Sequence, residues 1–161
     1  MKIEIRKADK EDFPFISELA RESYSFGIPP QRLAGTHIQD SLLNEALDDL
    51  FRCYELDINI DILIAFDREN EERAGYIILL MDHEDQSTGE RQAFIHDLAV
   101  KREYWGKYVV HRLIDAASES AKKRGLRWLA GVVTRDNRRA LHTALKALGF
   151  EIERYQVVKT L

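Results

Sequence analysis

The stretch from Ala93 to Val133 constrains the fold more than any other. Ala93-Phe94-Ile95-His96-Asp97-Leu98-Ala99-Val100 reads as a strand that turns through a short basic loop into a helix. Val109, Val110, Leu113, Ile114, Ala117 and Ala121 mark that helix, which ends at Gly125, a residue suited to a left-handed cap. Leu126 to Val133 is apolar at nearly every position and reads as a buried strand. Strand, helix and strand joined in this order make a right-handed crossover, so the two strands should lie parallel.

Upstream, Ile3 and Ile5 alternate with charges as a short half-buried strand. Asp9 and Asp12 offer caps for a helix carrying Phe13, Ile16, Leu19 and Ala20, and Phe26-Gly27-Ile28-Pro29-Pro30 breaks it. Ile38, Leu42, Leu43, Ala46, Leu47, Leu50 and Phe51 form the apolar stripe of a second helix. Its polar side holds Asp40, Glu45, Asp48 and Asp49, read as a solvated face or as the border of a site for a cationic substrate. Ile58, Ile60, Ile62, Ile64 and Phe66 then alternate, and Ala74 to Met81 is apolar on both faces. With the strand at Ala93 these make an antiparallel meander. Downstream, Asp136 or Asn137 caps a helix with Ala140, Leu141, Ala144, Leu145 and Leu148 inward, closed by Gly149. Phe150 to Val158 reads as a final strand. The expectation is a single α/β domain over residues 1–161 with a mixed sheet.

Composition removes several function classes. At 161 residues, 45% apolar and 32% charged, the chain can bury a real core, so disorder is excluded. Twenty-four basic against 28 acidic residues give a net charge of −4, and no nucleic-acid partner is expected. Met1 to Lys10 is charged at every second or third position and contains no signal-peptide apolar stretch. The longest apolar run, Tyr76 to Met81, is far shorter than the ~20 residues of a membrane span. The one cysteine, Cys53, cannot form an internal disulfide and fits a reducing compartment. A soluble, cytoplasmic protein with no membrane partner is expected.

The chemistry concentrates where the strand enters the helix. Backbone N–H groups in the first turn of a helix have no internal partners and carry the positive end of its dipole. Such a junction can hold an anion, above all a pyrophosphate, and Lys101, Arg102 and Lys107 add charge around it. His96 is the titratable residue best suited to take a proton from an ammonium substrate near neutral pH; the other reading is a half-buried histidine bonded to a neighbouring strand. His96 and Asp97 are not expected to act as a dyad, because adjacent strand residues point to opposite faces. His83-Glu84-Asp85 reads as a solvated loop. His111 and Asp115 share a helix face, but two ligands do not make a metal site.

From Ala93 onward the chain resembles the GNAT (Gcn5-related) N-acetyltransferases. The resemblance rests on Asp97-Leu98-Ala99-Val100, on Glu103-Tyr104-Trp105-Gly106-Lys107 and on the Leu126–Val133 strand. It continues through Asp136-Asn137 followed by Ala140, and through Leu148-Gly149-Phe150. It implies a GNAT-like mixed, mostly antiparallel sheet with one central parallel strand pair and helices on both faces. It also implies acetyl-CoA as co-substrate, direct attack of an amine on the thioester, and no metal. In such enzymes the two parallel strands splay, and the pantetheine arm lies along backbone groups like those of Leu98, Ala99 and Val100. The Leu98 N–H would face the thioester oxygen, and His96 stands where many members carry a glutamate base. The loop Trp105, Gly106, Lys107, Tyr108, Val109 and Val110 would hold the pyrophosphate, and Asn137 would reach the pantetheine. The acceptor would be an amine of a small molecule or peptide. Oligomeric state stays open, a homodimer included.

Two departures qualify the resemblance. Members usually carry Arg or Gln, then glycines or alanine, where this chain has Trp105, Tyr108 and Val110; only Gly106 survives. Phosphate can approach this backbone only if the Tyr108 ring turns aside and Val110 packs inward with Leu113 and Ala117. The tyrosine that often protonates the departing thiolate is replaced by Leu145 or Ala144, depending on the anchor counted from. Tyr104, Tyr108 and Tyr155 are the candidates to replace it. The alternative is a non-catalytic GNAT-like domain that binds a CoA ester or another partner without turnover.

Overall fold

The computed structural model describes residues 1–33 and 40–161. Along the chain come β1 (Ile3–Lys7), α1 (Phe13–Ser23), a single turn α2 (Pro30–Leu33), α3 (Asp40–Glu55), β2 (Ile60–Asp67), β3 (Glu72–Glu84) and β4 (Arg91–Val100). Then follow α4 (Val109–Lys123), β5 (Leu129–Gly131) and α5 (Arg138–Ala147). The five strands form one sheet in chain order. The β1–β2, β2–β3 and β3–β4 pairs are antiparallel, and β4–β5 is parallel. The meander and the crossover are thus both present. Ile38 of the expected second-helix stripe lies outside the described residues. No described helix is long and apolar enough to cross a membrane.

Strand alternation sends side chains to two cores. Ile62, Ile64, Tyr76, Ile78 and Ala99 pack beneath α1 and α3 with Ile16, Leu47 and Phe51. Leu63, Ala65, Ile77, Leu79, Ala93 and Val100 pack beneath α4 with Val109, Leu113 and Ala117. The central strands are therefore covered on both faces, which explains the unbroken apolar run of Ala74–Met81. Phe13 stacks on Phe51 at 4.1 Å between centroids, and the Tyr54 hydroxyl donates to the Ala8 carbonyl (2.8 Å), tying α1 to α3. Gly75 lies opposite Val100, and a Cβ there would stand 2.6 Å from the Ala99 carbonyl oxygen. Only glycine lets β3 approach the end of β4 this closely.

Among the described residues three aspartates are buried, and each is satisfied. Asp61, a polar position in the alternation of β2, is not solvated: it bonds the Ser120 hydroxyl and the Arg124 guanidinium (2.9 Å) at the end of α4. Asp67 accepts from the Lys2 and Glu69 N–H groups and from Asn70. Asp12, whose side chain is fully buried, receives both terminal nitrogens of Arg6 (2.6 and 2.8 Å), Nε of Arg73 (2.6 Å) and the Asp9 N–H (2.8 Å). Asp9 accepts from the Glu11 N–H in return, closing a capping box before α1.

The last third departs from the sequence reading. Leu126–Val133 forms a strand only from Leu129 to Gly131 and is not buried, and Phe150–Val158 forms no strand. From Lys122 to Leu161 no residue is buried; Leu141, Ala144, Leu145 and Leu148 are half-covered. A strand needs a neighbour for its backbone groups, and the outer edge of β5 has none among the described residues. The parallel pair therefore lies at the edge of the sheet.

Asp12 gives this architecture a measurable pH signature. Burial pushes its carboxyl up, but the bonds from Arg6, the Asp9 N–H and Arg73 outweigh it and bring the pKa down to about 2. A carboxylate with a lowered folded-state pKa stabilises fully above its ordinary range and loses that contribution as pH falls toward the folded value. Asp12→Asn should cost about 2–4 kcal/mol in urea unfolding at pH 7, since both arginines lose a buried partner. The difference from the parent should shrink between pH 4 and pH 2. An unchanged difference over that range would assign the loss to packing instead of charge.

Candidate active site

β4 is paired with β3 along its length but with β5 only at Ala93, Phe94 and Ile95. The Lys101 N–H donates to the Ala74 carbonyl (2.9 Å). Antiparallel alternation then turns the backbone groups of Asp97 and Ala99 toward β3 and those of Leu98 and Val100 toward the opposite edge. Past Gly131 the chain leaves β4, and the Thr134 hydroxyl donates to the Phe26 carbonyl (2.7 Å) near the end of α1. The two strands are parallel neighbours that splay, as the sequence led us to expect. Beyond Ile95 the β5-facing side of β4 runs without a β5 partner into the loop of residues 101–108.

That loop is built for exposed N–H groups. Gly106 and Tyr108 both have left-handed backbones (φ 76° and 60°), and Tyr108 precedes the first residue of α4. The N–H groups of Tyr108, Val109 and Val110 have no acceptor among the described residues. Tyr108 is 73% exposed, its ring turned aside onto His111 at 5.1 Å between centroids. Val109 is buried, and Val110 packs against the core beneath α4 with Leu113 and Ala117. Both conditions set by the sequence for phosphate approach are met. Successive N–H groups in this kind of turn form a concavity suited to anions.

The charges divide unequally. Lys101 is engaged by Glu72 (3.0 Å) and Glu103 (3.7 Å), so the cationic rim consists of Arg102, Lys107 and a residue the sequence reading missed, Arg139. Arg139 lies 3.9 Å and Arg102 5.9 Å from the centroid of Trp105, and Lys107 lies 5.2 Å from that of Tyr104. The Trp105 indole N–H donates to the Val100 carbonyl (2.8 Å). Tyr104 anchors the loop from below: its buried hydroxyl sits 2.6 Å from Glu72 and 3.0 Å from Asp67. Burial, then the bond to Glu72, pushes the phenol up, which makes Tyr104 a structural post and a poor acid.

His96 occupies a β-bulge. Ile78 is opposite Asp97 and Leu79 is opposite Ile95, leaving His96 as the extra residue. Ile95 and Leu98 both pack on the α4 side, whereas Asp97 reaches Tyr76 on the α1–α3 side. The bulge therefore breaks the simple alternation by which His96 and Asp97 were assigned to opposite faces. His96 is exposed. The Tyr76–Asp97 pair, with oxygens 2.5 Å apart, was not anticipated. Burial pushes the Asp97 carboxyl up, against the Tyr76 hydrogen bond, and burial pushes the Tyr76 phenol up as well.

Asn137 caps α5, its Oδ1 accepting the Ala140 N–H (3.2 Å), which leaves its amide N–H₂ available. Ala144 and Leu145 lie on α5, and Tyr155 is exposed in the tail. His83 stacks on Phe94 at 4.3 Å and bonds Gln92, so it is structural and not merely solvated. Among the described residues no three His, Cys, Asp or Glu side chains are grouped to hold a metal ion.

The fold and part of the sequence match known proteins. The structure superposes on aminoglycoside N-acetyltransferase AAC(6')-Iy in complex with a bisubstrate analogue (TM-score 0.75, 16% identity, 100% of this chain and 99% of that one). A putative acetyl transferase from Pyrococcus furiosus gives 0.74 at 22% identity, with 99% and 100% coverage. The PaiA N-acetyltransferase of Thermoplasma acidophilum, in complex with coenzyme A, gives 0.74 at 26% identity, covering 97% of this chain and 94% of that one. No curated protein sequence matches. The sequence model of the Acetyltransferase (GNAT) family matches residues 15–150, most of the chain, and the protein belongs to that family.

Proposed function

We propose that this protein is an N-acetyltransferase that moves an acetyl group from acetyl-CoA directly to an amine. The observation that carries the reading is the side of β4 that β5 leaves unpaired at Leu98 and Val100, where only the Val100 carbonyl is met, by Trp105; it leads to the N–H groups of Tyr108, Val109 and Val110, which have no acceptor among the described residues. An amide-bearing pantetheine fits the first and a pyrophosphate the second. Asn137 and Ala99 flank the arm, while Trp105, Gly106 and Lys107 surround the phosphates. Likeness to the coenzyme A complex of PaiA N-acetyltransferase supports the donor.

In the reaction, His96 takes one proton of the ammonium, the free amine forms its C–N bond to the thioester carbonyl carbon, the C–S bond breaks, and coenzyme A leaves as a thiolate that takes up the proton the nitrogen gives up on becoming an amide. The N–H of Leu98 stabilises the negative charge on the thioester oxygen in the transition state. The acceptor is an amine-bearing small molecule or peptide. A second reading, binding of a CoA ester without turnover, has one observation in its favour: the Trp105 indole already occupies the Val100 carbonyl that a pantetheine amide would use.

His96→Gln should lower the rate at neutral pH by about 10²–10⁴, as loss of a general base does, with acetyl-CoA affinity nearly unchanged. An unaltered rate would assign His96 to the bulge alone. The loop gives a second test. A left-handed backbone costs a non-glycine residue roughly 1–2 kcal/mol, so Tyr108→Gly should raise stability by about 1 kcal/mol in urea unfolding. Acetyl-CoA binding, followed by calorimetry, should stay equal or tighten and should weaken as salt rises. Failure of acyl-CoA esters to bind both proteins at millimolar concentration, with both folded, would refute the transferase reading.

A further inference from the structure

We propose that Trp105 is a displaceable latch on the donor strand: its indole closes the Val100 carbonyl, and a phosphate drawn to Arg139 and Arg102 releases it. The proposal rests on the donor reading above and adds how that site selects its donor. The indole N–H donates to the Val100 carbonyl (2.8 Å) on the side of β4 that β5 leaves unpaired. An amide N–H of a pantetheine arm paired along β4 must approach that carbonyl from the same side. The indole therefore has to move before the arm can pair there.

Trp105 is held differently from its neighbours. Tyr104 is buried with its hydroxyl clamped between Glu72 and Asp67, and Val109 is buried beneath α4. The Trp105 ring is partly exposed, and what touches it is one carbonyl and two arginines. Arg139 lies 3.9 Å and Arg102 5.9 Å from its centroid. Neither guanidinium makes a hydrogen bond or an ion pair among the described residues, so the face of the ring is what each of them holds. Two like charges brought to one ring oppose each other, which leaves the pair ready for an anion. Beside the ring the chain is open: a Cβ built on Gly106 meets nothing within 4 Å.

A guanidinium binds phosphate through charge-assisted, often bidentate hydrogen bonds, which are stronger than its contact with an exposed aromatic face. The N–H groups of Tyr108, Val109 and Val110 offer a phosphate its place a few residues along the same loop. A phosphate there takes the two guanidiniums from the indole, and the ring keeps only its bond to Val100. Occupation of the loop thus lowers the cost of pairing along β4, and by linkage an arm on β4 lowers the cost of binding phosphate. A thioester without phosphate has to displace the indole against both arginines. Trp105 and Arg139 therefore favour donors that carry phosphate over bare pantetheine thioesters.

Heteronuclear NMR titrations of the full chain test this with acetyl-CoA, S-acetyl-pantetheine and inorganic pyrophosphate. Trp105→Phe keeps a ring for the arginines but has no N–H to donate. It should bind S-acetyl-pantetheine about fivefold more tightly than the parent, as loss of one competing hydrogen bond predicts. On the parent, saturating pyrophosphate should tighten S-acetyl-pantetheine roughly two- to fivefold, and Arg139→Gln should remove most of that gain. Acetyl-CoA should move the Trp105 indole N–H signal of the parent to that of a water-exposed indole. With acetyl-CoA still bound by the parent, equal affinity of parent and Trp105→Phe for S-acetyl-pantetheine, no effect of pyrophosphate, or an unmoved indole signal would each overturn the latch and leave the donor reading intact. Failure of acetyl-CoA to bind parent and variant alike would overturn both.

Discussion

The backbone of β4 must satisfy its N–H and C=O groups on two sides, and it has a full partner on only one. β3 takes one side from Arg91 to Val100; β5 takes three residues of the other. Backbone polar groups left without partners are costly inside a fold, so the rest of the β5-facing side must meet water, a side chain or a ligand. Trp105 answers part of the demand by donating to the Val100 carbonyl. The remainder is a row of backbone groups on the side of β4 that β5 does not reach.

The loop beyond that row shows how a sequence can lose glycines and keep the geometry. Tyr108 adopts a backbone that favours glycine, and the strain is tolerated because the loop is held at other points. Tyr104 is clamped by Glu72 and Asp67, Lys101 by Glu72, and Val109 by the core under α4. The tyrosine ring leans on His111, outside the path to the N–H groups. Three anchors within a few residues make the left-handed turn a consequence of its surroundings.

What could be read from the sequence was what local spacing encodes. The helical stripe from Val109 to Ala121, the meander and the crossover all follow from periodicity, and they position the strand end, the loop and the helix start correctly. The aspartates could not be read in the same way. Asp12 was read as a simple cap and Asp61 was not singled out, because arginine partners lie 63 residues from Asp61 and up to 61 from Asp12. The Tyr76–Asp97 pair depends on a cross-strand register that the bulge at His96 shifts by one residue, and nothing in the spacing announces the bulge. Arg139 was missed for a related reason: it meets Trp105 only because α5 folds back over the loop.

The two sides of the β4–β5 junction differ in kind. One wall, β4 with α4, rests on residues buried from both cores. The other, β5 with α5, contains none that is buried, although it carries Asn137 and Arg139. Segments with few buried contacts open at low free energy, while those at the centre open only with the whole domain. The wall with the unpartnered N–H groups is thus the rigid reference, and the wall opposite is the adjustable one. A ligand bridging the two walls must order the second one, and part of its binding energy goes into that ordering.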